Sequence, residues 1–276
     1  MLDDQVLSDM AQQLVRQGGV LAVMLGGSRA RGEHGPGSDV DLGLYYRPPL
    51  DVSALGALAL QFGGAQARVT APGEWGPWVD GGSWLAVQGV AVDWIYRDLD
   101  RVKRTWEAAR EGHYTFHAQV GHPLGVPDFA YVGEVALGVV LADATGEVTE
   151  LRAAAADYPP LLADALTAGL WEAAFLLDLA RKAIPRADTA YVAGCLFRAI
   201  LLCAHALHGR SRRWLINEKG AITAAGRLPT SPPEFAVRAH RILAHVGEQP
   251  QDLHAALTAT VDLLSDVTAA CRAGVE

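Results

Sequence analysis

The sequence predicts an α+β fold in which a mixed sheet backed by helices is followed by an all-α helical bundle. Three observations predict it. Up to about residue 127 short apolar runs of strand length alternate with helix-like stretches. From about Thr149 apolar residues recur at three and four spacing to the end. Prolines and glycines (Pro159-Pro160, Pro185, Gly209, Pro232-Pro233, Pro250) punctuate that second region as helix boundaries do. With 276 residues the chain is most naturally two domains, at 1–127 and 128–276.

Taken in order, Leu2 to Arg16 has a helical pattern, Val20 to Leu25 reads as a buried strand, and a short helix opens at Ser28. Asp39 to Tyr46 is a second strand. After Pro48-Pro49 come a helix over Val52 to Phe62 and a strand near Gln66 to Thr70. Ser83 to Tyr96 reads as two strands around Gln88-Gly89, and Leu99 to Glu111 as a helix. The segment from Pro72 to Gly82 is glycine- and proline-rich and predicts a flexible loop, whose Trp75 and Trp78 either stack on a base or anchor the loop. His113 to Asp128 reads as a connector, and Tyr131 to Ala142 as an apolar strand or buried segment. Bundle helices are expected over 151–156, 161–181, 189–208, 233–246 and 252–273; nothing sharper can be said of the chain after Gly226.

The chemistry concentrates near the N-terminus. Asp39 and Asp41, two apart on one strand, project from the same face, while Val40 and Leu42 take the other. Two anions so placed repel each other, and a divalent cation turns that repulsion into coordination. Upstream, Gly26-Gly27 permits close backbone approach, and a helix opening at Ser28 offers unpaired N–H groups to phosphate. Asp93 lies inside an apolar strand, where a charge needs a partner or a metal.

Gly26-Gly27-Ser28 followed by Asp39-Val40-Asp41-Leu42 resembles the signature of nucleotidyltransferases of the DNA polymerase beta type: a hydrophobic residue, Gly, Gly or Ser, a spacer, then acid-hydrophobic-acid-hydrophobic. With Arg29, Arg31, Gly32 and Ser38 the string is most similar to the bacterial branch that includes aminoglycoside and minimal nucleotidyltransferases. The resemblance implies that the sheet domain is the catalytic one. It implies a third carboxylate, Asp93, two Mg²⁺ ions held by Asp39, Asp41 and Asp93, with Mn²⁺ as a substitute, and phosphates seated on Gly26, Gly27 and Ser28. Arg29 or Arg31 would counter the charge of leaving pyrophosphate, and Asp93 would act as general base, with Glu172 a second candidate. The implied reaction moves a nucleoside monophosphate from an NTP, ATP by default, to the hydroxyl of an unidentified small-molecule acceptor. The alternatives are a nucleotide-binding regulatory module, or transfer to a protein side chain or an RNA end. The second half also resembles the bundles that follow such catalytic domains, in the stretch from Arg181 to Lys219.

Composition narrows the partners. A net charge of −8 disfavours a long nucleic acid, which is held by arrays of Lys and Arg. Between Arg181 and Lys219, however, eight basic residues face two acids, a local charge that suits a compact polyanion such as a triphosphate. On the helix 189–208, Tyr191, Arg198 and His205 share a face that is either a polar stripe, with Arg198 and Lys219 reaching nucleotide phosphates, or an ordinary surface. His113, His117 and His122 lack a cysteine or acid at a spacing that would complete a zinc site. Cys195, Cys203 and Cys271 stand apart without metal-ligand spacing and read as buried thiols of a cytoplasmic protein. No unbroken apolar run reaches membrane-span length, and the acidic N-terminus lacks the basic start of a secretion signal. The oligomeric state is left open.

Overall fold

The computed structural model describes residues 2–35 and 37–273. The chain divides into two compact units, one formed by residues 1–108 with 114–157 and the other by 109–113 with 158–276.

The first unit is built on a five-stranded mixed sheet. Helix α1 (Asp4–Leu14) starts where the Asp3 carboxylate caps the Gln5 N–H. Strand β1 (Val20–Leu25) follows, then the single turn α2 (Gly27–Ala30) and β2 (Val40–Tyr46). Helix α3 (Val52–Gly63) is capped by Asp51 through the Ala54 N–H. Strands β3 (Gly82–Val87) and β4 (Val90–Asp98) form the hairpin around Gln88-Gly89, and α4 (Leu99–Arg110) leaves its end. The two-stranded ribbon of β5 (Phe116–Gln119) and β6 (His122–Pro127) comes next, followed by α5 (Ala130–Leu137), β7 (Val139–Asp143) and α6 (Glu147–Ala155). The order in the sheet is β3-β4-β2-β1-β7, with β2 and β4 parallel and all other neighbours antiparallel.

One face of this sheet is the core. Leu42 and Leu44 of β2, Val92, Trp94 and Tyr96 of β4, and Leu85 and Val87 of β3 pack with Met10 and Leu14 of α1 and Leu55 and Ala59 of α3. Alternation with period two sends the intervening residues to the other face. There α5 covers the far ends of β2 and β4: Arg97 donates to both Glu134 oxygens, at 2.6 and 2.8 Å, and its guanidinium lies 5.1 Å from the Tyr131 ring centre. A guanidinium 5% exposed is tolerable because its charge is paired and its donors are used. Nearer the start of β2 and β4, Asp41 and Asp93 on this same face are half-buried.

Several expectations are corrected. Gln66 to Thr70 forms only an isolated bridge between Val69 and Ser83, not a strand. The connector at 113–128 holds the β5–β6 ribbon. Tyr131 to Ala142 is neither one strand nor one buried segment: Gly138 ends α5 and β7 begins at the next residue. Because β7 pairs with β1, residues up to Asp157 belong to the first unit. The loop from Pro72 to Gly82 is held in place by side chains from outside it: Gln119 donates to the Trp75 carbonyl and accepts from the N–H groups of Trp78 and Val79, Arg101 donates to the Pro77 carbonyl, and the Tyr131 hydroxyl donates to the Trp78 carbonyl.

The second unit is helical. Its helices are α7 (Pro160–Ala168), α8 (Leu170–Ala183), α9 (Thr189–Arg210), α10 (Ala221–Ala225), α11 (Phe235–Ala244) and α12 (Pro250–Arg272). Gly169 separates α7 from α8, where one helix over 161–181 was expected. Helix α9 is the central one, with Val192, Leu196, Ala199, Ile200, Cys203 and Leu207 all buried. His205 is also buried, 1% exposed, so Tyr191, Arg198 and His205 do not make a continuous polar surface. Among the described residues, Pro160–Arg186 and Thr189–Arg210 are long and apolar enough by composition to cross a membrane, which a search for unbroken runs passes over. Two thirds of the Thr189–Arg210 window is buried, as in the core helix of a bundle.

Candidate active site

The sheet register brings Asp41 and Asp93 together. In the parallel β2–β4 pair Asp41 is the direct neighbour of Asp93, so both carboxylates leave the same face, on strands about 4.8 Å apart. Each is flanked in its own strand by buried residues pointing the other way, Val40 and Leu42 around Asp41, Val92 and Trp94 around Asp93. The core side therefore fixes which way the two acids point. Asp93 belongs to an interior strand of the sheet.

The glycine turn is seated on Asp41. The Gly26 N–H donates to the Asp41 carbonyl at 2.8 Å, which ties the end of β1 to the start of β2. Gly27 has φ +61° and lies so close to Asp41 that a Cβ there would overlap its carboxylate, with the Asp41 Cγ only 2.8 Å away. Both the left-handed backbone and the lack of space call for glycine. Ser28 is half-buried in the one-turn helix that follows.

The remaining candidates are placed as follows. Asp39 is exposed and lies just before β2. Arg29 reaches across to that segment, its Nε donating to the Asp39 carbonyl at 3.0 Å and its Nη2 to the Ser38 carbonyl at 2.7 Å. The fork is thus occupied by backbone oxygens. Arg31, exposed, pairs with Glu33 at 2.8 Å. Among the described residues no three His, Cys, Asp or Glu side chains form a metal-holding group, so the three aspartates are not gathered into one cluster. In the helical unit, Lys219 is exposed, its own N–H bonded to the Asn217 side chain, while Glu172 accepts from Arg198 at 2.6 Å. His117 stacks on Trp78 with ring centres 3.9 Å apart and lies 3.5 Å from the Asp128 carboxylate. Trp78 therefore anchors its loop.

A family model for the nucleotidyltransferase domain matches residues 7–69, a span that contains the glycine turn, Asp39 and Asp41. Over that span the chain is similar to a nucleotidyltransferase domain. A solved structure of a nucleotidyltransferase-like protein from Exiguobacterium sibiricum is similar over 95% of this chain and 73% of that one, at 12% identity and a TM-score of 0.45. No curated protein matches the chain.

The matched span ends before Asp93, and the β2–β4 register is what carries that residue to Asp41. One neighbour of the pair escaped the sequence reading. Trp84 is the direct antiparallel partner of Asp93, is 67% exposed, and stacks on Trp75 with ring centres 4.3 Å apart and planes 13° from parallel. The signal was present in the alternation Ser83-Trp84-Leu85-Ala86-Val87, which puts an indole on the face opposite two core residues. The role of Arg29 as a clamp on the Ser38-Asp39 backbone has no counterpart in a linear motif.

Proposed function

We propose that this chain transfers a nucleoside monophosphate from an NTP, ATP by preference, to a hydroxyl of a small-molecule acceptor in a metal-dependent reaction that releases pyrophosphate. The observation that carries the reading is the lateral pairing of Asp41 with Asp93 on one sheet face, with the Gly26-Gly27 backbone laid against Asp41. The nucleotidyltransferase domain implies an NTP substrate. Two half-buried carboxylates side by side are hard oxygen donors, and that donor set fits Mg²⁺ with Mn²⁺ as a substitute. Asp41 and Asp93 would hold the metal between them, with Asp39 from the clamped segment as the third carboxylate. Bound there, divalent ions supply charge neutralisation at the α-phosphate and ease ionisation of the acceptor hydroxyl.

The protein's own groups do the rest. Asp93 takes the acceptor proton as the hydroxyl oxygen bonds to the α-phosphorus and the bond to the bridging oxygen of pyrophosphate breaks. Gly27 and Ser28 receive the β- and γ-phosphates, while Gly26, whose N–H is spent on the Asp41 carbonyl, shapes the turn and leaves room for their approach. Arg31 is the better countercharge for pyrophosphate, because an exposed pair with Glu33 is weak and readily exchanged, whereas the Arg29 fork is taken by two carbonyls. A cationic acceptor would suit the net charge of −8.

Calorimetric titration with each of the four NTPs, with and without Mg²⁺, tests the reading without knowledge of the acceptor. Metal-dependent binding of one NTP, lost in an Asp39→Asn/Asp41→Asn variant, is the expected result. Binding of none would overturn it.

A further inference from the structure

We propose that Trp84, backed by Trp75, is the acceptor subsite, and that the acceptor carries its reactive hydroxyl on a ring that lies flat against the indole. The inference rests on the nucleotidyl-transfer reading and adds to it which side of the carboxylates the acceptor occupies and what shape it has.

Directly opposite residues of an antiparallel pair share a face with Cβ atoms about 4.5–5.5 Å apart, so the register puts Trp84 beside Asp93. Its neighbours Ser83 and Leu85 are buried on the core side, and Trp84 itself is 67% exposed. The sequence of features across the sheet gives the direction. The glycine turn at the end of β1 lies against Asp41 of β2, Asp93 of β4 comes next, and Trp84 of β3 follows. Displacement at phosphorus needs the attacking and leaving oxygens on opposite sides. With the leaving phosphates on the glycine side, the attacking hydroxyl enters from the Trp84 side.

The aromatic surface there is built in advance. Trp75 lies parallel to Trp84 at 4.3 Å, and the loop that carries Trp75 is fixed by Gln119 through three backbone groups. A surface already ordered spends little conformational entropy on binding. An indole face takes flat partners: an aromatic base by stacking, or a sugar or cyclitol ring by its C–H face. An open-chain polyol offers no such face. Asp93 then stands within reach of a hydroxyl on the ring edge.

The test uses the full chain and its Trp84→Ala and Trp84→Phe variants, with circular dichroism as the check on folding. NTP affinity with Mg²⁺ is measured first. Pyrophosphate release is then followed with myo-inositol, adenosine or sorbitol as added acceptor, and binding of each is followed by quenching of indole fluorescence. The expected result is saturable binding and turnover with at least one cyclic probe and none with sorbitol; the cyclic probe that responds tells a carbohydrate-like from a nucleoside-like acceptor. Trp84→Ala should raise the acceptor KM tenfold or more with NTP affinity unchanged, and Trp84→Phe should restore most of it. An unchanged acceptor KM, no binding of either cyclic probe, or equal use of sorbitol overturns the proposal. Weakened NTP affinity in Trp84→Ala also overturns it, because the indole would then hold the donor base. Failure of the underlying reading shows separately, as a wild-type protein that binds no NTP before any acceptor is added.

Discussion

Asp41 and Asp93 are neighbours in the one parallel strand pair of the five-stranded sheet, β2 beside β4. Parallel strands cannot be joined by a tight hairpin, so the chain between the two acids passes through α3, the pinned loop and β3 before it returns. Slippage of either strand by one residue would turn its carboxylate into the core. The site is therefore a property of the packed sheet, with the buried side chains of β2 and β4 acting as the jig.

Single substitutions Asp41→Asn and Asp93→Asn should each lower kcat/KM by roughly a hundredfold or more, since each removes a charged oxygen donor for the metal. Pyrophosphate release at saturating NTP measures it. Asp93→Glu should not rescue, because the longer arm moves the oxygens while the register holds the backbone. Full activity in either Asn variant would remove that residue from the mechanism.

Gly27→Ala puts a methyl group where the Asp41 carboxylate lies and asks alanine to keep φ +61°. The left-handed conformation alone costs about 1–2 kcal/mol. Expected are a lower melting temperature and loss of metal-dependent NTP binding, both read in one set of thermal-shift titrations; wild-type values for both would show that the turn relaxes away from Asp41 freely.

Arg29→Lys separates a clamp from a countercharge. A lysine keeps the charge but cannot span the Ser38 and Asp39 carbonyls with a planar fork. If the residue serves by holding the segment that carries Asp39, Arg29→Lys should behave like Arg29→Ala, with Mg²⁺ dependence shifted several-fold to higher concentration. A lysine variant indistinguishable from wild type would favour the countercharge.

Acid should weaken the helical unit through His205. Burial lowers its pKa from 6.5 to about 3, so the folded unit keeps the ring neutral while the unfolded chain takes up a proton below about 6.5. The unfolded state then binds more protons, and stability falls as the pH drops from about 6.5 towards 3, by at most about 1.4 kcal/mol per pH unit for one group. His208, shifted down by burial as well, adds to the slope. In urea melts between pH 7 and 4, His205→Asn should show a shallower loss than wild type; parallel curves would mean that the ring is not protonation-silent in the fold.

Much of this was legible in the sequence because the informative residues are local. Val20 to Leu25 matches β1 residue for residue, and the alternation around Asp41 and Asp93 marked both as the odd charges in apolar strands. The rest was hidden for identifiable reasons. Tyr131 to Ala142 is apolar apart from Glu134 and shows no clear period of its own, so the break at Gly138 between α5 and β7 could not be seen. The β5–β6 ribbon is short and carries Gly121 and Pro123, which read as loop. Trp84 beside Asp93 depends on the hairpin register, and the Arg29 clamp on a fork bridging two carbonyls nine and ten positions downstream; both are geometric facts with no local pattern.

Strand β1, which delivers the glycine turn, is flanked by β2 on one side and β7 on the other. As the chain emerges from a ribosome, β1 and β2 come out before the hairpin, the ribbon and α5, and β7 follows only after all of these have been made. Until then one edge of β1 has its backbone N–H and C=O groups unpaired and open to adventitious strands. Closing that edge brings together segments far apart in sequence, which is slow compared with local pairing. The turn that would cradle the phosphates is thus made well before the strand that locks it, so a chain halted before residue 139 would expose its signature motif on a sheet edge open to aggregation.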